Sequence, residues 1–107
     1  MAKARRITEK ITVVSTATDY VSSTLDISSF NCLCVQVSGS AGSGTLTIEI
    51  SNDGVSWGSL GTATITSGKA IYNSGSTLVG SQLIRCKINM SSGTGDFQTT
   101  FSMKDLG

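Results

Sequence analysis

From Thr45 to Ser51 the apolar residues Leu46, Ile48 and Ile50 alternate with Thr45, Thr47, Glu49 and Ser51, the period-two pattern of a strand with one buried face. The run stops at Asn52-Asp53-Gly54, residues that tolerate positive φ and bond their own backbone, so the chain should reverse there and bring Val55 and Trp57 back towards the strand. The same alternation recurs at Leu33, Val35 and Val37, at Ile84, Cys86, Ile88 and Met90, and at Phe97, Thr99, Phe101 and Met103. No helical period competes with it. The chain has no proline, so its 12 glycines must carry the turns. Strands at roughly ten-residue spacing with glycine turns predict an all-β fold, an antiparallel eight-stranded β-sandwich of jelly-roll type.

In chain order, the pattern predicts a first strand over Ile7 to Ser15, then a short edge strand over Tyr20 to Asp26 continued by Ile27. Phe30 to Ser38 follows as a strand with two fairly apolar faces. The glycine-rich loop Gly39 to Gly44 is short enough to join it to the Thr45 strand as a hairpin. Thr62 to Thr66 and Lys69 to Tyr72 flank Ser67-Gly68 and predict a second hairpin. Asn73 to Ser81 reads as a long surface loop and a candidate contact segment, with Leu78 and Val79 as its apolar anchors. The expected core is Leu33, Val35, Val37, Leu46, Ile48, Ile50, Ile84, Ile88, Phe97 and Phe101.

A chain of 107 residues suits one domain with a real core. We place that domain at residues 7–107 and a basic arm at 1–6. The net charge of +1 gives no general attraction to nucleic acid or acidic membranes. Its distribution is uneven. Lys3, Arg5, Arg6 and Lys10 are half of the eight basic residues. This terminus is either a frayed, solvated end or an arm that orders against a partner, with Lys3, Arg5 and Arg6 meeting acidic groups and Ile7 starting an added strand. With no interleaved aromatics, three or four charges make a poor nucleic-acid site. No apolar run approaches the roughly 20 residues of a membrane helix, and the polar start lacks a secretory apolar region. Synthesis in the cytoplasm, with no membrane association, is the expectation.

Enzyme chemistry finds little purchase. There is no histidine, and the seven acids are scattered with no two at a spacing that would pair them. Cys32, Cys34 and Cys86 form no C-x-x-C, and without histidine a zinc site is not expected. Cys32 and Cys34 lie two apart on one strand face, at or beyond the usual reach of a disulfide, so the cysteines read as free, mostly buried thiols. No cofactor and no metal is expected. Asn52 and Asp53 could offer oxygens to a cation, but an Asx hairpin without metal is the commoner arrangement. Trp57 reads as a plug over the open end of the core or, alternatively, as a ligand-stacking platform. Trp57, Tyr20 and Tyr72 are the aromatics outside the expected core phases, so a glycan ligand stays open.

Two resemblances meet at these residues. Ser51-Asn52-Asp53-Gly54-Val55-Ser56-Trp57 looks like the strand-turn-Trp signature of discoidin-type carbohydrate and lipid binding domains. More of the chain resembles small β-sandwich virion proteins of tailed bacteriophages. Leu25-Asp26-Ile27 precedes the alternating strands, and Ile84-Arg85-Cys86-Lys87, Ser92-Gly93-Thr94-Gly95 and Lys104-Asp105-Leu106-Gly107 form the closing pattern. The second resemblance covers most of residues 24–107. It implies a non-enzymatic part of a virion, a multi-copy capsid decoration or minor head or tail protein. Its partners would be other virion proteins and copies of itself. The first implies instead a small carbohydrate-binding module.

Overall fold

The computed structural model describes residues 4–28, 30–74 and 82–105. These form nine strands and no helix: β1 (Ala4–Val13), β2 (Asp19–Val21), β3 (Leu25–Asp26), β4 (Cys32–Ser38), β5 (Ser43–Ser51), β6 (Gly58–Ile65), β7 (Lys69–Asn73), β8 (Leu83–Ser92) and β9 (Gly95–Lys104). The first sheet has the order β1-β9-β4-β7 and the second β2-β8-β5-β6, with β3 also on β8. Every pairing is antiparallel. Two four-strand layers in this order are the jelly roll. The count of eight becomes nine because β2 and β3 both pair with β8, as one edge strand interrupted at Ser22 to Thr24. No helix among the described residues is long and apolar enough to cross a membrane.

The alternating phases set what lies between the layers. Of the ten expected core residues, all are buried except Ile50, which is half-buried at the margin. Ile11, Val13, Ile27, Ile65, Cys86, Met90 and Met103 complete the interior. Phe97 and Phe101 on β9 face Ile11 and Ile7 on β1, and Phe101 also faces Val35 on β4, so the aromatic pair fills the first sheet's inner face. Thr99 is fully buried among them, its hydroxyl satisfied by donating to the Glu9 carbonyl at 2.9 Å. Ser22 Oγ likewise accepts from the Cys86 amide at 2.9 Å.

Two predicted hairpins are arches instead. β4 belongs to the first sheet and β5 to the second, and β6 and β7 likewise lie in different sheets, linked by the isolated bridge Thr66↔Lys69 just past the end of β6. The hairpin at Asn52-Asp53-Gly54 does form, since β5 pairs with β6 from Gly44↔Ile65 to Ile50↔Gly58. Local chemistry does not separate these cases. Ser67 and Gly68 have φ of 53° and 78°, suited to a tight type I′ turn, yet the strands part beyond the first bridge. Both edges of β4 are already taken by β9 and β7, and both edges of β5 by β8 and β6. The crossovers are laced together where Gly39 donates to the Gly68 carbonyl at 2.7 Å and Gly68 donates to the Gly42 carbonyl at 2.8 Å. A Cβ on Gly39 would stand 2.4 Å from the Phe97 ring, so the first crossover runs directly over that aromatic and closes the end of the sandwich.

The boundary of the basic arm also moves. Ala4, Arg5 and Arg6 extend β1 and pair with Lys104, Met103 and Ser102 of β9. These three residues have no apolar face to bury. Backbone hydrogen bonds to a strand edge that runs on to Lys104 hold them, and that term is invisible to side-chain periodicity. Lys3 lies outside the described residues.

Candidate functional site

The outer face of the second sheet is built by register. Glu49 faces Arg85, Thr47 faces Lys87 and Thr45 faces Asn89 across β5 and β8, and Asp19 and Val21 on β2 continue two of these rows. Arg85 Nε donates to Glu49 Oε1 at 2.8 Å, and Lys87 Nζ stands 3.9 Å from Glu49 Oε2. The guanidinium lies 4.0 Å from the centroid of the Trp57 ring, a cation–π stack. Glu49 keeps only 15 % of its side chain exposed and Arg85 27 %, so the pair is partly desolvated and stronger than an open surface ion pair.

Trp57 reaches this position because the β5–β6 loop is fixed by its own polar side chains. Ser51 Oγ accepts from the Asp53 and Gly54 amides at 3.2 and 2.9 Å. Asp53 Oδ1 accepts from the Val55 amide at 2.8 Å, the Ser56 amide at 2.9 Å and the Ser51 hydroxyl at 3.1 Å. The Ser56 and Val55 amides, followed by the Ser51 hydroxyl, hold the Asp53 carboxyl below the usual carboxylate value. Asn52 Oδ1 accepts from the Gln82 amide at 3.2 Å. These oxygens are therefore committed to backbone N–H groups, and among the described residues no cluster of three or more His, Cys, Asp or Glu side chains could hold a metal ion. The loop returns the indole across the outer face, where Nε1 donates to the Gly54 carbonyl at 3.3 Å. Trp57 is half-buried there and stands apart from the core cluster. The reading of Trp57 as a plug over the end of the core is thus corrected, and as a platform it offers at most one ring face because Arg85 covers the other. Tyr20 and Tyr72 pack partly against the core, which leaves Trp57 alone of the three aromatics on an outer face.

The outer face of the first sheet is organised differently. Arg6 faces Ser102, Lys10 faces Gln98, Lys104 faces Cys32 and Lys69 faces Ser38, and all four cations are exposed. Its ion pair, Lys10 to Asp96 at 3.8 Å, has both side chains more than half exposed. Between the cations lie Thr8, Thr100, Gln36 and Ile71, the last 60 % exposed. Arg6, Ser102 and Lys104 line a shallow hollow of about 330 Å³ together with Ala4, Arg5 and Met103. The predicted partner residues separate here. Arg6 points outward, whereas Arg5 and Ile7 share the inward phase and Ile7 packs against the core. Leu78 and Val79 lie outside the described residues.

The Cys34 and Cys86 thiols are poor nucleophiles. Burial pushes the Cys34 thiol up, and it pushes Cys86, inside the core, up to about 11. What the sequence did not show is the assembly of Trp57, Arg85, Glu49 and Lys87 into one cluster. The outward phase of Arg85 and Lys87 was readable, but their partners depend on the β5–β8 register.

No family model and no curated protein matches the sequence. Solved structures do. The PBSX exported protein XepA is 13% identical with a TM-score of 0.69, matching 94% of this chain but 37% of that one. The SPBc2 prophage-derived protein YomS is 13% identical with a TM-score of 0.62, over 98% of this chain and 96% of that one. A subunit of Bacillus endospore appendages, described as disulfide-linked pili, is 17% identical with a TM-score of 0.56, over 97% and 88% of the two chains. At these identities the likeness establishes the fold.

Proposed function

We propose that the chain is a non-enzymatic structural subunit of a bacteriophage virion, present in many copies as a capsid decoration or minor head or tail protein. The observation that carries this reading is the end-to-end likeness to a prophage-derived protein of nearly the same extent. A protein described as PBSX exported and a pilus subunit of similar fold support it. The surface is consistent with such work. Two sheet faces dominate it, and burial favours the protonated thiol at Cys34 and Cys86. An assembly protein needs broad complementary faces rather than a pocket with convergent catalytic groups.

Quantitative mass spectrometry of purified particles tests the reading. The chain should be present at a fixed ratio to the major capsid or tail protein, and immunogold labelling should localise it to head or tail. Abundance in the infected-cell lysate with absence from purified particles would overturn it. The carbohydrate-binding alternative rests on Trp57 alone. Glycan-array binding that disappears in a folded Trp57→Ala variant would favour that module instead.

A further inference from the structure

The two outer faces carry opposite charge. Among the described residues of the first sheet, Arg6, Lys10, Lys69 and Lys104 stand against Asp96, a surplus of three positive charges. On and beside the second, Asp19, Asp26, Glu49 and Asp53 stand against Arg85, Lys87 and Arg5, whose charge acts on Asp26, a surplus of one negative charge. The acids at the second face's margin keep their charge exposed. Asp19 accepts from Asn89 Nδ2 at 2.7 Å and Asp26 from the Ser28 hydroxyl at 2.6 Å, both neutral donors. Each face also shows an exposed large hydrophobic residue, Ile71 on the first and Val21 on the second.

From this we infer that copies of the chain stack face to face, the basic face of one on the acidic face of the next, an inference that rests on the multi-copy reading above and names its partner. Such a contact joins two different surfaces, so it propagates into a stack or closes into a ring, unlike a two-fold dimer. The molecule measures 40 × 27 × 20 Å. Its broad side therefore offers roughly 1,000 Å², against the about 800 Å² per partner of a standard interface. Because the attraction is mainly between exposed charges, it weakens as salt shortens the screening length.

Sedimentation velocity of the purified chain, from about 20 to about 500 mM NaCl, reads this directly. Concentration-dependent species larger than a dimer are expected at low salt and monomer at high salt. Lys10→Glu/Lys69→Glu blocks the basic face, and Asp19→Lys/Val21→Lys blocks the acidic face. Each variant alone should stay monomeric, and an equimolar mixture should form complexes, because each supplies the face the other lacks. Circular dichroism checks that each variant is folded, and the single changes Lys69→Glu and Asp19→Lys repeat the test should a double variant not fold. A monomer at all salts, association indifferent to these charges, or a dimer that the mixture fails to restore would each overturn the inference. Particle composition separates the two readings. Presence in particles without stacking removes this inference alone, whereas salt-sensitive stacking by a chain absent from particles removes the virion reading alone.

Discussion

The two outer faces of this sandwich are made by the same rule, alternate residues of four antiparallel strands, yet they hold charge in different ways. At the centre of the second sheet Glu49 sits between Arg85 and Lys87, with Trp57 over the guanidinium, so each charge of that cluster has a partner and the cluster is largely withdrawn from water, while Asp19 and Asp26 at the margin stay exposed. On the first sheet Arg6, Lys69 and Lys104 stand among hydroxyl, amide and thiol neighbours. Charge that is paired and packed belongs to the stability of the fold, while charge left open is available to a partner. Substitutions sort the faces by which measurement they move.

The largest effect belongs to neither face. Ile48 lies between Thr47 and Glu49 on β5 and is fully buried. Ile48→Asp should cost more than about 4 kcal/mol and unfold the domain, because it leaves an unpaired charge between the sheets. Thr47→Asp, one residue away on the outer face, should cost less than about 1 kcal/mol. Urea unfolding of the pair measures whether the faces are assigned correctly, and equal losses would contradict the register.

Cys86 is the interior neighbour of Arg85 and Lys87 on β8. Its folded value of about 11 lies above the ordinary 9.0, so the neutral thiol is favoured by folding. That contribution is complete below pH 9.0 and is lost as pH rises towards about 11. By linkage it should reach about 2–3 kcal/mol. Denaturation midpoints across this window should fall less steeply in Cys86→Ala than in the parent protein, and parallel slopes would rule the thiol out.

Glu49→Ala removes the acid shared by two cations and should cost about 1–3 kcal/mol, with Glu49→Gln retaining part of it. Trp57→Ala should cost about 1 kcal/mol and remove the near-ultraviolet signal of the indole. Lys69→Glu should change the unfolding midpoint by less than about 0.5 kcal/mol. Thermal melts at matched salt distinguish these cases, and a loss at Lys69 equal to that at Glu49 would erase the distinction between the faces.

The strand phases were legible because alternation is a local signal. Leu33, Val35, Val37, Leu46, Ile48, Ile84, Ile88, Phe97 and Phe101 are buried as expected, and Ile50 falls short only because it lies at the margin of the core. Pairing was less legible. A glycine-rich loop of the length of Gly39 to Gly44 spans two sheets as easily as it closes a hairpin, and the Ser67-Gly68 turn fits both outcomes. The start of β1 at Ala4 escaped notice because backbone pairing leaves no period in Ala4-Arg5-Arg6. The turn at Asn52-Asp53-Gly54 was plain in the sequence, but the destination of Trp57 was not. It depends on Arg85, which reaches the indole only through the pairing of β5 with β8.

The pairing of β1 with β9 carries a consequence for how the protein is made. Ala4 pairs with Lys104 and Val13 with Gly95, so β1 leaves the ribosome well before the strand it pairs with. At about 5–20 residues per second that delay is roughly 5–20 s. Throughout it Ile7, Ile11 and Val13 have no sheet to cover them, and the chain is open to proteases and to strands of neighbouring nascent chains. Slowing translation before Gly95 should lengthen this interval and lower the soluble yield without changing a single contact in the finished molecule.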